Sequence, residues 1–262
     1  MNEIPNSEPP IEPFRPRHRP PMARLILFDD GSVEGELFRI RDASTSVGRK
    51  NCSVNIQHDE MVSDRHLVIE RECKNGEYRW TIRDLNSETG LWVRVRRIEL
   101  KDGTEFLLGG QRFYFQDSAP IDLDTRTAML ARIENGSYSG TASVPGNAYA
   151  KLSRTAFVSN DAALKNPLVV SQNRVNSLTL IDGEYWIGRG PEAAMRVPDD
   201  PFLASKHVCV AKESGTAWIA RTAGAPNGMW VRMKQINVNN SCTFQIGEQR
   251  CRFVSAWSRD EI

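Results

Sequence analysis

The chain repeats itself at a nearly constant distance. Gly48-Arg49 returns as Gly188-Arg189 after 140 positions, and His66 returns as His207 after 141. Gly90-Leu91-Trp92-Val93-Arg94 returns as Gly228-Met229-Trp230-Val231-Arg232, and Gly109-Gly110-Gln111-Arg112 as Gly247-Glu248-Gln249-Arg250, both after 138. Offsets this steady call for two copies of one structural unit, over about 22–118 and 167–257. Whatever fold the first copy adopts, the second is expected to share.

Within each copy the apolar pattern is that of short strands. RLILF (24–28), HLVIE (66–70), YRWTIR (78–83), LWVRV (91–95) and RFYFQ (112–116) alternate or are apolar throughout. Turn signals such as Asp30-Gly31, Asn75-Gly76, Asn86-Ser87, Asp102-Gly103 and Gly109-Gly110 separate them. The second copy reads PLVV (167–170), SLTLI (177–181), EYWIG (184–188), HVCVA (207–211), AWIAR (217–221), MWVRM (229–233) and RCRFV (250–254). Short strands punctuated in this way predict an all-β sandwich in each copy. Trp80, Trp92, Trp186, Trp218 and Trp230 fall inside these runs, where aromatic residues serve as core.

The flanks read differently. Residues 1–21 hold seven of the 14 prolines and little that can pack, so they are expected to form a disordered, proline-rich arm. Its basic stretch, Arg15-Pro16-Arg17-His18-Arg19, has the composition of a ligand for proline-reading domains. The Ser/Thr/Gly/Ala/Asn-rich residues 119–166 are too long for a loop within a compact domain and are expected to be a long flexible linker, with a short helix over TAMLARIE (127–134). Residues 258–262 form a C-terminal tail.

Charge and cysteine content narrow the function classes. Lys plus Arg number 34 against 33 Asp plus Glu. The first copy carries 15 basic and 17 acidic residues, net −2, and residues 167–262 carry 11 and 9, net +2. Neither presents the clustered basic field that a nucleic-acid backbone requires. The five cysteines, an odd number, are widely spaced without a C-x-x-C pair, which disfavours a disulfide framework and a zinc site. No apolar run is long enough to cross a bilayer, and no signal-peptide pattern opens the chain. These features lead to the expectation of a cytoplasmic protein bound to neither membrane nor nucleic acid. The sequence carries no G-x-x-x-x-G-K-[ST], H-E-x-x-H or G-x-S-x-G signature, so the expectation is a binding protein without enzymatic activity, cofactor or metal.

Three recurring spots fall at strand ends: Gly48-Arg49 after a strand, Ser63-Asp64-Arg65-His66 before one, and Thr89-Gly90 in the turn before LWVRV. Loops at one end of a sandwich cluster in space. An arginine fork, a hydroxyl and a further cation brought together there have the chemistry of a phosphate site, and Arg49, Ser63 and Arg65 are those groups.

The run VGR (47–49), SDRH (63–66) and DLNSETGLWV (84–93) resembles the forkhead-associated (FHA) domain, a β-sandwich that binds phosphothreonine in peptides. The resemblance spans nearly all of both copies. It implies that Arg49 and Ser63 hold the phosphate, with Arg65 and Lys50 adding positive charge, and that Gly48, His66 and Gly90 are structural. Thr89 stands where the family places an asparagine that holds the ligand backbone, and a hydroxyl cannot reproduce the two-ended amide. In the second copy Arg189, Lys206 and Asn227 are the corresponding phosphopeptide residues, with Gly188, His207 and Gly228 structural. Ala204 replaces the serine there, so this copy is expected to be weakened. The glycines before the arginines fit a tight turn needing φ > 0.

The resulting expectation is a phosphothreonine-peptide-binding signalling adaptor acting mainly through the first copy. Its partner would be a Thr-phosphorylated protein or peptide, a Ser/Thr kinase or its substrate. The alternative, which Thr89 and Ala204 keep open, is a phosphate-independent protein–protein interaction scaffold.

Overall fold

The structure is a computed structural model that describes residues 20–28, 35–117, 167–172, 176–181, 183–213, 217–222 and 224–255. The expected linker, its helix at 127–134, the tail and the arm up to residue 19 lie outside them. Pro21, placed in the arm by composition, is buried, and its carbonyl accepts a hydrogen bond from Arg71 Nη1 at 2.7 Å.

The described residues are all-β, without a helix. In chain order the strands of the first copy are β1 (Ala23–Phe28), β2 (Gly35–Ile40), β3 (Ser44–Gly48), β4 (Val54–Asn55), β5 (Leu67–Lys74), β6 (Glu77–Asp84), β7 (Leu91–Val95), β8 (Arg97–Leu100), β9 (Glu105–Leu108) and β10 (Gln111–Gln116). The second copy supplies β11 (Leu168–Ser171), β12 (Ser177–Thr179), β13 (Glu184–Gly188), β14 (Met195–Arg196), β15 (Val208–Glu213), β16 (Ala217–Thr222), β17 (Met229–Met233), β18 (Gln235–Val238), β19 (Ser241–Ile246) and β20 (Gln249–Val254). The alternation of RLILF is visible in β1, where every second residue is buried.

Two compact units form, and they differ from the contiguous spans 22–118 and 167–257 that the repeat suggests. The first unit is Met1–Leu91 with Met233–Ile262, and the second is Trp92–Arg232. In the first unit one sheet runs β18-β6-β5-β3-β4. Across from it β19, β20, β1 and β2 adjoin in that order, all antiparallel. In the second unit one sheet runs β14-β13-β15-β16-β8, and β12, β11, β10, β9 and β17 form the other. Each sandwich is therefore completed by the last three strands of the opposite copy. Val238 pairs with Trp80 and Arg252 with Ile26, while Leu100 pairs with Trp218 and Phe106 with Val231.

The cause is a missing turn. One residue, Arg96, separates β7 from β8, and one residue, Lys234, separates β17 from β18. A hairpin needs at least two loop residues, preferably Asn, Asp or Gly with positive φ. Arg94-Val95-Arg96-Arg97 and Arg232-Met233-Lys234-Gln235 contain none of these. The chain continues extended and delivers its last three strands to the other unit, the exchange known from domain swapping when a hinge cannot fold back.

The exchanged strands are core in their new places. Phe244, Ile246, Phe253 and Val254 are buried in the first unit, where Phe253 meets Trp80 edge to face with ring centroids 5.4 Å apart. Phe106 and Phe113 stack in the second, at 5.5 Å, beside buried Leu108 and Phe115. All five cysteines are free thiols, and burial pushes Cys242 up to about 12.

Candidate functional site

In the first unit three loops are laced together at one end of the sandwich. The backbone of the loop after β3 pairs with the segment before β5: Arg49 N–H donates to Ser63 O at 3.0 Å and Lys50 N–H to Asp64 O at 3.2 Å. Gly48 is glycine for this reason. Its φ is not positive, contrary to the tight turn expected from sequence. A Cβ there would instead lie 2.4 Å from Asp64 O, within the pairing. Gly188 repeats the arrangement, with a Cβ position 2.3 Å from Ser205 O, and Arg189 N–H donates to Ala204 O at 2.9 Å. The positive φ falls instead on Gly90 and Gly228.

His66 ties the three loops together. It is fully buried; its Nδ1 accepts from Ser63 N–H at 3.2 Å and its Nε2 donates to Gly90 O at 3.2 Å. An accepting Nδ1 requires the neutral ring, and burial lowers its pKa below the ordinary 6.5. His207 makes the same pair of bonds, to Ala204 N–H at 3.1 Å and Gly228 O at 2.8 Å. Because Ala204 N–H and Ser63 N–H donate to equivalent ring nitrogens, Ala204 occupies the place of Ser63.

The polar groups gather on this frame. Ser63 Oγ accepts from Glu88 N–H at 3.2 Å, which leaves its own hydrogen to be donated. Arg49 Nε and Nη2 both donate to Asp64 Oδ1, at 3.0 and 2.9 Å, with Lys50 Nζ 3.9 Å from the same oxygen. Lys50 and Arg65 are exposed and Arg49 is partly so. Three cations and a hydroxyl thus stand on adjoining loop segments, the arrangement that the spacing of VGR and SDRH suggested.

The turn before β7 is braced in the same way as its counterpart before β17. Thr89 Oγ1 donates to Met61 O at 3.0 Å, and in the second unit Asn227 Nδ2 donates to Phe202 O at 2.9 Å. Threonine and asparagine perform one shared task, bracing the loop that precedes the serine or alanine. Thr89 is in this respect an adequate replacement for the amide.

The second unit lacks the hydroxyl, and its cation is engaged. Lys206 Nζ lies 2.7 Å from Glu192 Oε2 and 5.7 Å from the centre of the Trp186 ring. The hydrogen bond from Lys206 holds the Glu192 carboxyl below the usual range. Arg189 is exposed.

One carboxylate outside the repeated motifs supports each site. Asp59 is nearly buried, and its Oδ1 accepts from Met61 N–H at 2.9 Å. Its Oδ2 accepts from Glu248 N–H at 2.8 Å and Gln249 N–H at 3.1 Å, the turn between exchanged strands β19 and β20. Asp200 does the same in the second unit, accepting from Phe202 N–H at 2.9 Å and Gly110 N–H at 2.8 Å. The signal was present: Asp59 and Asp200 are 141 positions apart, the offset of the histidines. Each site loop is anchored on a strand turn from the opposite copy.

With this geometry in view, comparison with known proteins is informative. Residues 45–109 match the FHA domain family. No curated protein matches the chain. Yeast Pml1p in its full-length crystal structure is similar at 22% identity, over 35% of this chain and 74% of that one, with a TM-score of 0.27. Mycobacterium tuberculosis EmbR, in complex with a low affinity phosphopeptide, is similar at 26% identity, over 37% of this chain and 24% of that one, with a TM-score of 0.24. The Mycobacterium tuberculosis Rv1747 FHA-1 structure is similar at 22% identity, over 30% and 86%, with a TM-score of 0.20.

Proposed function

We propose that the chain is a phosphothreonine-peptide-binding adaptor whose working site is that of the first unit. The observation that carries this reading is the convergence of Arg49, Lys50, Ser63 and Arg65 on two loop segments whose backbones pair residue by residue. A phosphate at neutral pH carries about −1.5 to −2 charge and three acceptor oxygens, and such groups are matched by an arginine fork, a donating hydroxyl and further cations. A FHA-family match over 45–109 covers these residues, and the family's domains are interaction modules, so the reading includes no chemical step. The partner is a Thr-phosphorylated protein, a Ser/Thr kinase or its substrate, met in the cytoplasm. No described helix is long and apolar enough to cross a membrane.

The test is binding of the full chain to an oriented phosphothreonine peptide library beside its unphosphorylated counterpart. Removing the fork in Arg49→Ala costs at least about 2–3 kcal/mol of binding, thirty- to a hundredfold or more, and Ser63→Ala costs less because one neutral hydroxyl is lost. Equal retention of the two libraries by the wild type refutes the reading.

A second reading, a phosphate-independent scaffold, is favoured by the second unit. There Ala204 replaces the hydroxyl and Glu192 engages Lys206. Under it both libraries are retained equally and Arg49→Ala changes nothing.

A further inference from the structure

Both sites hold a cation on a carboxylate of the chain itself, and the two carboxylates come from different positions of the repeat. In the first unit it is Asp64, inside SDRH; by the histidine register its counterpart in the second unit is Ser205. There the carboxylate is Glu192, in the loop between β13 and β14, whose counterpart in the first unit is Cys52 by the Gly-Arg register. Neither acid is a copy of the other, yet each meets a cation of the site.

We infer that Asp64 is a built-in stand-in for the ligand phosphate, which must be displaced from Arg49 before phosphothreonine can bind and which thereby sets the affinity of the site. This rests on the phosphothreonine reading above. Arg49 Nε and Nη2 present one edge of the guanidinium, and both donate to the single oxygen Asp64 Oδ1. A phosphate oxygen bound through that edge would need the same position, so the two anions exclude each other. The pair is also easily parted. The Arg49 side chain is 30% exposed and that of Asp64 is 56%, a setting in which solvent screens an ion pair strongly.

Asp64 is not needed to hold the loop. The backbone pairing of Arg49 and Lys50 with Ser63 and Asp64, and the bonds of His66, are made without the carboxylate. What the carboxylate does is lower the charge of the cluster. Arg49, Lys50 and Arg65 sum to +3, and Asp64 reduces them to +2. Removing it relieves both the competition for Arg49 and the repulsion of an incoming dianion.

The experiment titrates full-length wild type, Asp64→Asn, Asp64→Ala and a distant exposed carboxylate control, Glu72→Gln, with the phosphothreonine library and its unphosphorylated counterpart. Melting curves on each protein confirm folding, and Asp64→Asn keeps the side-chain shape should Asp64→Ala fold poorly. Like charges a few ångströms apart near a surface predict Asp64→Ala to bind the phosphorylated library about tenfold more tightly, more at low salt than at high, with Asp64→Asn in the same direction and Glu72→Gln unchanged. If wild type prefers the phosphorylated library and the Asp64 variants bind it equally or less well, Asp64 is a brace and the inference is overturned, while the proposed function stands. If wild type shows no preference, the proposed function falls and the inference, which rests on it, falls with it whatever the variants do.

Discussion

Cutting the chain between its two copies tests the strand exchange directly. A protease site introduced within 119–166 leaves fragments of about 1–140 and 141–262, each missing strands that its own sandwich needs. The first unit requires Val238, Phe244, Ile246, Phe253 and Val254 from the C-terminal fragment, and the second requires Leu100, Phe106, Leu108, Phe113 and Phe115 from the N-terminal one; all ten are buried to 5% exposure or less. At about 1.5–3 kcal/mol for each buried side chain, either set contributes about 7–15 kcal/mol, and both together about 15–30 as an upper bound. Association costs about 4–15 kcal/mol, and a micromolar complex needs about 8, so the balance favours a particle that stays whole after cutting. Size-exclusion chromatography with light scattering of the cut protein is expected to show one species with the mass of the intact chain, separating only where the protein also unfolds. Two folded fragments eluting apart in native buffer would refute the exchange and restore contiguous sandwiches over 22–118 and 167–257. A companion variant with Asn-Gly inserted at both Arg96 and Lys234 supplies the missing hairpin turns, and in that protein the same cut is expected to release two halves.

Because halves cannot be studied alone, binding by the second unit is isolated in full-length Arg49→Ala; its residual affinity for the phosphothreonine library is expected to be at least about tenfold weaker than wild type, given the lost hydroxyl and the Glu192 contact, and calorimetry decides it. His66 has a folded pKa below its ordinary 6.5, so the unfolded chain takes up a proton more readily. Its contribution is fully present above 6.5 and is lost as pH falls through the folded value. Thermal melts from pH 8 down to 5 should fall more steeply in wild type than in His66→Gln, and equal slopes would refute this. Gly48→Ala forces a methyl against a hydrogen-bonded backbone oxygen and should cost at least about 2–3 kcal/mol by denaturant unfolding, whereas Gly76→Ala, with open space around its Cβ position and only its φ against it, should cost less.

Much of the fold and of the candidate site is legible in the chain. Period-two alternation marks strands such as RLILF and YRWTIR because it depends only on which face of a strand is buried. The repeat announces two like units, and the spacing of VGR and SDRH brings Arg49, Ser63 and Arg65 to adjoining loops because the flanking strands β3 and β5 are antiparallel neighbours. Strands β8, β9 and β18, of four residues each, are too brief for alternation to stand out.

What only the tertiary structure decided is partnership. Strands β8 to β10 and β18 to β20 must bury a face, but that need is equally satisfied in either sandwich, since the two copies offer like surfaces. The choice falls to the backbone at Arg96 and Lys234, where an absent turn is harder to notice in a sequence than a present one. The same holds for side chains. That Gly48 faces a carbonyl oxygen, that Asp59 receives N–H groups from residues 248 and 249, and that Asp64 sits on Arg49 are contacts between segments whose spacing in sequence carries no distance in space. Local pattern is set by the chemistry of neighbouring residues, whereas contacts between loops are set by where long-range strand pairing places them.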